Sequence, residues 1–348
     1  MVVQFPSDLL YDIFSRLPIK SILRFKCVSP LWCNIIDDPC LAHMHLTQYV
    51  EEPNNILLLD YHTGKPPSVT FRELDQGFFK ADMNLVTKSP YFLEGCCKGL
   101  VCFTKTGDDS VLVLFNPLRQ EILALPPPTT SSICKRKYGL GFDCSRNKYK
   151  VVSVSLNSLG CYEAEVYTLG TRSSWRAISK GPPCALAKNS IFACGALHWL
   201  VHHDVASDDL KGKIVSFDVG KEEFGLISPP KFGSWHLLDL GGNLALVDRS
   251  SGRHIEIWVM KDYEKKEWVK EYKIDIKPPI EMADNLLVEV IGLWKHGEIL
   301  LYYLSIYLSY NPKTCEMRYV HIPGLSQDTQ VLCHMGSLLS ISRFQAEY

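Results

Sequence analysis

The chain has 348 residues, of which 46% are hydrophobic, and a formal net charge of −1 at pH 7. Because 37 lysines and arginines nearly balance 38 aspartates and glutamates, we expect no electrostatic attraction to nucleic acid or to an anionic membrane. The 13 cysteines are scattered without a CxxC pair, and Pro6, Ser7 and Asp8 interrupt any apolar leader. These features favour reduced thiols and a location in the cytoplasm, the nucleus or both.

The first fifty residues predict a small helical module. Ser7 and Ser21 are the expected N-caps of the first two helices, and Ser29-Pro30 opens the third. Apolar residues recur at helical spacing from Leu9 to Leu17, where Pro18 ends the run. Three short helices cannot cover this many large apolar side chains. The surplus therefore predicts a surface that binds a partner protein.

This segment resembles the F-box, in which a proline, a leucine-rich helix, a Leu-Pro pair, a second helix and a tryptophan follow in order. The positions that match its adaptor-binding pattern are Pro6, Leu9, Ile13, Leu17, Pro18, Leu23, Val28 and Trp32. The resemblance implies an F-box domain over residues 1–48 that binds a Skp-family adaptor and, through it, a cullin. Leu17 with Pro18 is expected to matter most, because the proline fixes the backbone where the first helix ends. The alternative is an ordinary helical cap on the larger domain.

From about Asn55 the sequence changes to short β-type runs separated by glycine, proline and asparagine turns. The runs group into units of roughly 40 to 50 residues, which is the period of propeller blades. Three units share one order of strands and turns, and two others fill the intervals: Phe92–Pro128, Lys188–Pro230 and Val288–Gly324, then Lys137–Pro183 and Trp235–Ile274. The uncharged stretch Ile299–Tyr310 is too short to span a bilayer and predicts two buried strands.

The two ends of the β region each supply part of a blade. Ile56–Leu59 and Val69–Leu74 predict two strands at the start, and Val331–Met335 and Leu338–Ser342 predict two at the end. Pairing them would complete a blade and close the ring, which removes exposed strand edges. The sequence therefore predicts a propeller of about six blades, with five or seven left open by the uncertainty of strand assignment.

This β region resembles the plant F-box-associated interaction domain, which has kelch-like relatives, although the paired glycines of a kelch repeat are absent. The segments that carry the resemblance are Gly99–Phe103, Phe115–Pro117, Tyr138–Asp143, Lys148–Val152, Glu165–Tyr167, Ser174–Arg176, Gly195–Leu200 and Ile214–Asp218. The resemblance implies a propeller domain over residues 49–348, a plant origin, and a role in selecting a protein for ubiquitination. The expected fold is thus mainly β with a small α N-terminal domain.

Several short motifs have a catalytic outline but the wrong context. Gly95–Gly99 spaces a cysteine like a nucleophile elbow, yet strand-like residues follow where a helix is required, so a tight turn is expected. Gly139–Gly141 lacks the third glycine of a nucleotide-binding loop. The carboxylate pairs Asp108–Asp109 and Asp208–Asp209 are expected in solvated turns rather than as an acid/base pair.

The densest metal-like cluster comprises His198, His202, His203 and Asp204. No thiolate or carboxylate at zinc-binding spacing accompanies it, so a hydrogen-bonded core or loop histidine is the preferred interpretation. We therefore predict no metal, no cofactor and no catalytic residue. Trp175, Trp235 and Tyr263 are candidate contact residues for a target, and each is equally compatible with the core.

Three functions are compatible with these features. The first is a non-catalytic substrate receptor of a Skp–cullin–F-box (SCF) ubiquitin ligase, which binds an unidentified protein through the propeller. The second is an F-box scaffold that acts outside a ligase. The third is a propeller enzyme acting on a small molecule, for which the sequence offers no convergent polar cluster.

Overall fold

The computed structural model describes residues 6–48, 55–60, 68–73, 77–81, 91–105, 107–132, 135–170, 174–202, 209–230, 235–251, 254–275, 288–303, 306–321 and 329–344. Its helices are α1 (Ser7–Ser15), α2 (Ile19–Phe25), α3 (Pro30–Ile36) and α4 (Pro39–Gln48). Two single 3₁₀ turns, 295–297 and 342–344, are the other helical elements in these ranges. Short N-terminal helices followed by a mainly-β region confirm the predicted fold class.

Two of the three predicted helices begin directly after a proline, not after the serine predicted as their N-cap. Ser29 caps α3 as predicted, because its side chain accepts a hydrogen bond from the Trp32 backbone N–H at 3.1 Å. The N-caps predicted at Ser7 and Ser21 are wrong. Pro6 and Pro18 occupy those cap positions with extended backbone, because proline fixes φ and lacks the N–H that a helix interior requires.

A fourth helix was missed by the prediction of three. It begins at Pro39, directly after Asp38. The Cys40 backbone N–H donates to the Asp38 carboxylate at 2.7 Å, and proline is well tolerated in the first turn. Asp38 and Pro39 together are thus a helix-start signal of the same kind as Ser29-Pro30.

The described residues of the β region form six four-stranded antiparallel sheets. In chain order, the first nineteen strands are β1 (Asn55–Asp60), β2 (Ser68–Glu73), β3 (Gly77–Ala81), β4 (Tyr91–Cys97), β5 (Leu100–Lys105), β6 (Asp108–Asn116), β7 (Glu121–Leu125), β8 (Lys137–Asp143), β9 (Lys148–Leu156), β10 (Tyr162–Thr168), β11 (Trp175–Ala177), β12 (Leu186–Ala193), β13 (Ala196–Val201), β14 (Ile214–Asp218), β15 (Glu223–Ile227), β16 (Trp235–Leu240), β17 (Asn243–Asp248), β18 (His254–Asp262) and β19 (Glu267–Asp275). The remaining strands are β20 (Glu289–Trp294), β21 (Glu298–Tyr303), β22 (Ile306–Asn311), β23 (Glu316–Val320) and β24 (Thr329–His334). Five sheets are consecutive strand quartets, β4–β7 through β20–β23, and the two buried strands predicted within Ile299–Tyr310 are β21 and β22.

The remaining sheet joins the two ends of the chain, as predicted. Its order is β24-β1-β2-β3, and β24 pairs antiparallel with β1 from Asn55↔His334 to Asp60↔Thr329. The contributions are three strands and one rather than the predicted two and two. The prediction missed β3, and Leu338–Ser342 is not a strand, because side chains of Asn116 and Glu121 hydrogen-bond its backbone instead.

Consecutive strands of the propeller alternate in direction, so their connections lie alternately on two opposite faces. The proximal face, next to the helices, holds short turns, among them the β6–β7 turn, from which Arg119 bonds Asp37 of the helical module. Among the described residues, eight non-glycine residues with positive φ lie in these proximal turns, including Gln120 and Asn147. The distal face holds the connections at the opposite strand ends, among them the β9–β10 turn and the segment 126–132 after β7.

The Phe-Asn-Pro motif at Phe115–Pro117 has a structural role in the proximal turns. The Asn116 side-chain oxygen accepts the backbone N–H groups of residues 118 and 119. Asp218 and Asn311 do the same in equivalent turns of other sheets. These asparagine and aspartate residues fix the turn by replacing backbone hydrogen bonds.

Glycine permits close contact between neighbouring sheets. A Cβ at Gly139 in β8 would lie 2.7 Å from the ring of Trp199, which is fully buried on β13. A Cβ at Gly95 in β4 would lie 2.9 Å from Ser190 of β12. The Gly139–Gly141 motif is therefore a packing feature of a strand.

One hydrophobic cluster is shared by the helices and the propeller. It contains Phe14, Ile36 and Leu41 from the helices together with Tyr149 and Leu339 from the β region. Other clusters lie entirely within the sheets. The propeller therefore has its own core, and the helical module packs onto one edge of it.

Candidate functional site

Helix α1 has one buried and one exposed apolar face. Leu10 and Phe14 are 3% and 1% exposed and enter the shared core, whereas Leu9 and Ile13 are 44% and 40% exposed. Residues four apart are neighbours on a helix surface, so Leu9 and Ile13 form one apolar strip. Because the buried face alone packs α1 against the rest of the protein, the exposed strip of Leu9 and Ile13 is available for a partner.

The turn after α1 has a half-buried leucine and an exposed proline. Leu17 packs against the shared core, and its carbonyl oxygen lies 2.8 Å from Nε2 of buried His45 on α4. Burial lowers the pKa of His45 below its usual value, although this hydrogen bond acts the other way. Pro18 remains exposed. The turn is thus anchored from inside and presents the proline ring to solvent.

The other F-box candidates also separate into two groups. Leu23 and Trp32 pack against the core, and the Trp32 ring lies 5.0 Å from that of Phe14 with edge-to-face geometry. Val28 is 60% exposed, and Pro6 is exposed as well. The eight positions therefore divide into three that build the module and five that reach its surface. We call the latter the exposed apolar set, which comprises Pro6, Leu9, Ile13, Pro18 and Val28.

A second apolar surface lies on the distal face of the propeller. Leu159 is 85% exposed at the tip of the β9–β10 turn. The Asn157 side chain holds this turn, since its oxygen accepts the backbone N–H groups of Leu159 and Cys161 at 3.0 and 2.9 Å. Leu159 is thus a fixed apolar projection with no counterpart among the sequence candidates. Its only sequence signal is a leucine inside an Asn-Ser-Leu-Gly turn.

A cavity of about 440 Å³ lies on the same face, lined by residues from the start of β4, the β5–β6 connection and the segment before β8. Phe92, which is 45% exposed, forms one wall, and the Lys135 ammonium lies 4.3 Å from the centre of its ring. Ser132 also lines the cavity and hydrogen-bonds the backbone of Leu156, the last residue of β9 before the turn. We call Phe92, Lys135, Leu159 and this cavity the distal surface.

The cysteine motif at Gly95–Gly99 does not form a nucleophile elbow. It ends β4 and turns at Lys98-Gly99 directly into β5, which confirms the predicted tight turn. Burial raises the pKa of Cys96 to about 12, and it also raises the pKa of Cys97 well above its usual value. Both thiols are therefore held in the protonated, weakly nucleophilic form.

His198 is a core residue, as preferred from the sequence. Its side chain is fully buried, with Nε2 2.9 Å from the Tyr263 hydroxyl and Nδ1 3.3 Å from the Ile191 carbonyl. Burial lowers the pKa of His198 to about 3. His203 and Asp204 lie outside the described residues. No group of three or more potential metal ligands occurs within the described ranges, and the absence of a metal stays a prediction.

The remaining candidates are mostly structural. Trp175 is 7% exposed and donates from its indole N–H to the Pro126 carbonyl at 2.7 Å, so it belongs to the core. Tyr263 is half-buried against His198. The Trp235 side chain lies outside the described residues, as does Asp208.

The two aspartates of the Asp108–Asp109 pair have separate roles. Asp108 is exposed, as predicted, but it is the first residue of β6 rather than part of a turn, and it accepts hydrogen bonds from Ser110. The Asp109 carboxylate instead accepts the Arg136 backbone N–H at 2.6 Å. Neither arrangement pairs two carboxyl groups for acid/base chemistry.

None of the described helices has the length and apolar composition needed to span a membrane. The fold and the exposed residues thus define a β-propeller protein with an N-terminal helical module that displays apolar side chains. Comparison with known families agrees: residues 3–43 match the F-box domain, and residues 71–344 match the F-box associated beta propeller domain. The chain belongs to the plant F-box proteins that carry this propeller.

Individual relatives cover nearly the whole chain. F-box protein At3g07870 of Arabidopsis thaliana is 29% identical over 96% of this chain and 91% of its own length. F-box protein DOR of the same plant is 30% identical over 85% of this chain and 81% of its own length. Among solved structures, an oligogalacturonate lyase in complex with manganese aligns with a TM-score of 0.47 at 9% identity, covering 79% of this chain and 75% of that one. A similarity this low carries no information about activity.

Proposed function

We propose that this protein is the substrate-receptor subunit of an SCF ubiquitin ligase and that the exposed apolar set binds the Skp-family adaptor. The observation that carries the proposal is α1, which buries Leu10 and Phe14 and still exposes Leu9 and Ile13. Exposed leucine and isoleucine at neighbouring helical positions cost free energy in water unless a partner covers them. The F-box match makes the adaptor the expected partner, and the adaptor connects the chain to a cullin.

In this proposal the chain binds proteins and performs no chemistry itself. The histidine and Cys97 are buried, Cys96 is partly buried, and all three are held in their neutral forms. The twelve described cysteines are all free thiols, which supports a reducing compartment and hence the cytoplasm, the nucleus or both. No cofactor, nucleic acid or membrane has a role in this function.

The target protein binds the distal surface in this proposal. Leu159 supplies a preorganised apolar projection, and the cavity beside Phe92 supplies a recess with a cationic group at its edge. Pre-formed turns lose little entropy on binding, which favours affinity. The target would then lie at the opposite end of the propeller from the adaptor.

The first experiment separates a ligase subunit from a scaffold. The full-length chain is expressed in plant cells and captured, and adaptor and cullin are measured together. A ligase subunit recovers both, whereas recovery of the adaptor without cullin would support the scaffold function. Recovery of neither would contradict the proposed adaptor binding.

The second experiment tests the distal surface. Proteins captured after proteasome inhibition are compared between the wild type and the double variant Phe92→Ala, Leu159→Asp. The control is Leu226→Asp, which changes a 40% exposed leucine on the outer strand β15. We expect the distal variant to lose specific proteins while it keeps the adaptor. An unchanged set of captured proteins would rule out the distal surface as the target site.

A further inference from the structure

We infer that Arg119 is a positioning residue that fixes the F-box on the propeller through a junction clasp. The clasp comprises Asp37, Arg119, Glu121 and the backbone of residues 338–342. Its consequence for ubiquitin transfer rests on the proposed ligase function. The clasp itself is a property of the folded chain and can be tested without any partner.

Arg119 makes three different contacts from one side chain. Its Nη2 donates to the Asp37 carboxylate of the F-box at 2.6 Å, its Nε donates to Glu121 at 2.8 Å, and its Nη1 donates to the Leu338 carbonyl at 3.2 Å. The planar guanidinium can satisfy three acceptors in a fixed geometry, which a lysine cannot do. Arg119 therefore joins the F-box, the propeller and the C-terminal segment.

Glu121 extends the clasp along the C-terminal segment. One carboxylate oxygen accepts the backbone N–H groups of Ile341 and Ser342 at 2.7 and 3.2 Å, and the other accepts the Ser340 hydroxyl at 3.1 Å. Asn116 adds two hydrogen bonds to the carbonyl groups of residues 337 and 339. The segment is thus held on the propeller by side chains, and Leu339 of this segment belongs to the shared core that contacts the F-box.

Burial makes these contacts strong. The Arg119 side chain is 5% exposed, and those of Asp37 and Glu121 are 20% and 17% exposed. Although burial alone would raise the pKa of Asp37, hydrogen bonds from Lys26 and Arg119 lower it below its usual value. A charged group left without its partner in such a site is strongly unfavourable, so the clasp resists opening.

A fixed junction sets the relation between the two proposed binding surfaces. The exposed apolar set lies on the F-box, and the distal surface lies at the other end of the propeller. A rigid connection holds a target at one position relative to the adaptor, whereas a loose one would let it sample many. Arg119 thereby determines which lysines come within reach of the ubiquitin-transferring enzyme.

Hydrogen exchange on the full-length protein tests the clasp directly. In Arg119→Met we expect the amides of Ile341 and Ser342 to exchange at least about tenfold faster, while the amides of β12–β15 keep their protection. Arg119→Lys should behave like Arg119→Met, because a single ammonium group cannot reproduce the three hydrogen bonds of the planar guanidinium. The control is Arg318→Met, which removes an ion pair with Glu298 from a side chain that is 64% exposed and far from the clasp in the chain.

Asp37→Asn provides a second variant, which removes the charge on the F-box side of the clasp and should loosen the hold of Arg119 on the C-terminal segment. If Arg119→Met fails to fold, faster exchange of Ile341 and Ser342 in Asp37→Asn still supports the inference. Unchanged exchange in every folded clasp variant would overturn it. If the amides of Ile341 and Ser342 kept their full protection in Arg119→Lys, the inference would also be overturned. A positive charge alone would then be enough to hold the clasp, without the guanidinium geometry.

Self-ubiquitination in a reconstituted ligase tests the functional consequence. We expect the wild type to be modified at a restricted set of lysines and Arg119→Met at a broader set, with unchanged affinity for the adaptor. An identical pattern of modified lysines in both would contradict the positioning role. Failure of the wild type to bind the adaptor would instead contradict the proposed function, and the exchange experiment would remain decisive for the clasp.

Discussion

Burial at His198 converts a titratable side chain into a neutral part of the core. The ring lies between the Ile191 carbonyl and the Tyr263 hydroxyl, and burial lowers its pKa to about 3 from 6.5. A neutral imidazole can donate from one nitrogen and accept at the other, which suits a carbonyl on one side and a hydroxyl on the other. The histidine therefore stabilises the propeller only while it is unprotonated.

The pH dependence of stability should show this effect. In the unfolded chain His198 binds a proton near pH 6.5, so the unfolded state binds more protons than the folded state below that pH. The free energy of unfolding should therefore fall as pH decreases, by about 2 kcal/mol between pH 7 and pH 5 from this residue. Urea titrations at several pH values measure it.

The variant His198→Gln isolates that contribution. It keeps a hydrogen-bonding side chain of similar reach but removes the titration. The variant should be less stable at pH 7 and should have a shallower pH dependence, with His45 supplying part of the remaining slope. A variant with the same slope as the wild type between pH 7 and pH 5 would contradict this assignment.

At the scale of elements, β8 shows why strands of this propeller contain glycine. Replacing Gly139 by alanine would place a methyl group 2.7 Å from the Trp199 ring, with Leu197 at 2.8 Å. Overpacking a dense core costs about 1 to 3 kcal/mol. We expect Gly139→Ala to lower the free energy of unfolding by that amount, as measured by chemical denaturation.

Gly225→Ala is the matched control, because Gly225 lies on the exposed outer strand β15. Its added methyl group would approach only the hydroxyl of Ser216, at 3.0 Å, and no aromatic ring. The control should lose much less stability than Gly139→Ala. Equal losses would show that glycine in these strands matters for reasons other than contact with Trp199.

Local sequence signals predicted some secondary-structure elements correctly and others wrongly. Ser29-Pro30 identified α3 because the cap and the proline are adjacent in sequence. The segment Leu338–Ser342 is a short, largely apolar run of the kind that strands contain, yet its hydrogen-bonding partners are side chains more than 200 positions earlier in the chain. An apolar run indicates burial, and it does not indicate what pairs with the backbone.

At the scale of the whole molecule, the sequence indicated which residues belong to the candidate site but not which of their side chains face solvent. The F-box pattern supplied all eight candidate positions, since the motif is local. Which of them face outward depends on how α1 packs against α3, α4 and the propeller, and Trp32 proved internal while Val28 is exposed. Arg119 escaped prediction because it contacts Asp37 across 82 positions, and no local pattern marks it.

The shared core also decides which variants give an interpretable binding test. Replacing Leu17 together with Pro18 would remove a side chain that packs inside the module, so a loss of adaptor binding would combine with a loss of stability. Leu9 and Ile13 lie on the exposed strip of α1. Changes at these two positions alter the surface and leave the buried face of the helix in place.

The affinity of the full-length chain for a Skp-family adaptor tests the central claim most directly. Isothermal titration calorimetry would compare the wild type with Leu9→Asp, Ile13→Asp and with a control, Leu226→Asp, Val269→Asp, whose leucine and valine are 40% and 45% exposed on outer strands. We predict that the α1 variant loses at least about 2 kcal/mol of binding free energy, or about 30-fold in Kd, and that the control binds like the wild type. A folded α1 variant that binds the adaptor with wild-type affinity would contradict the proposed adaptor surface.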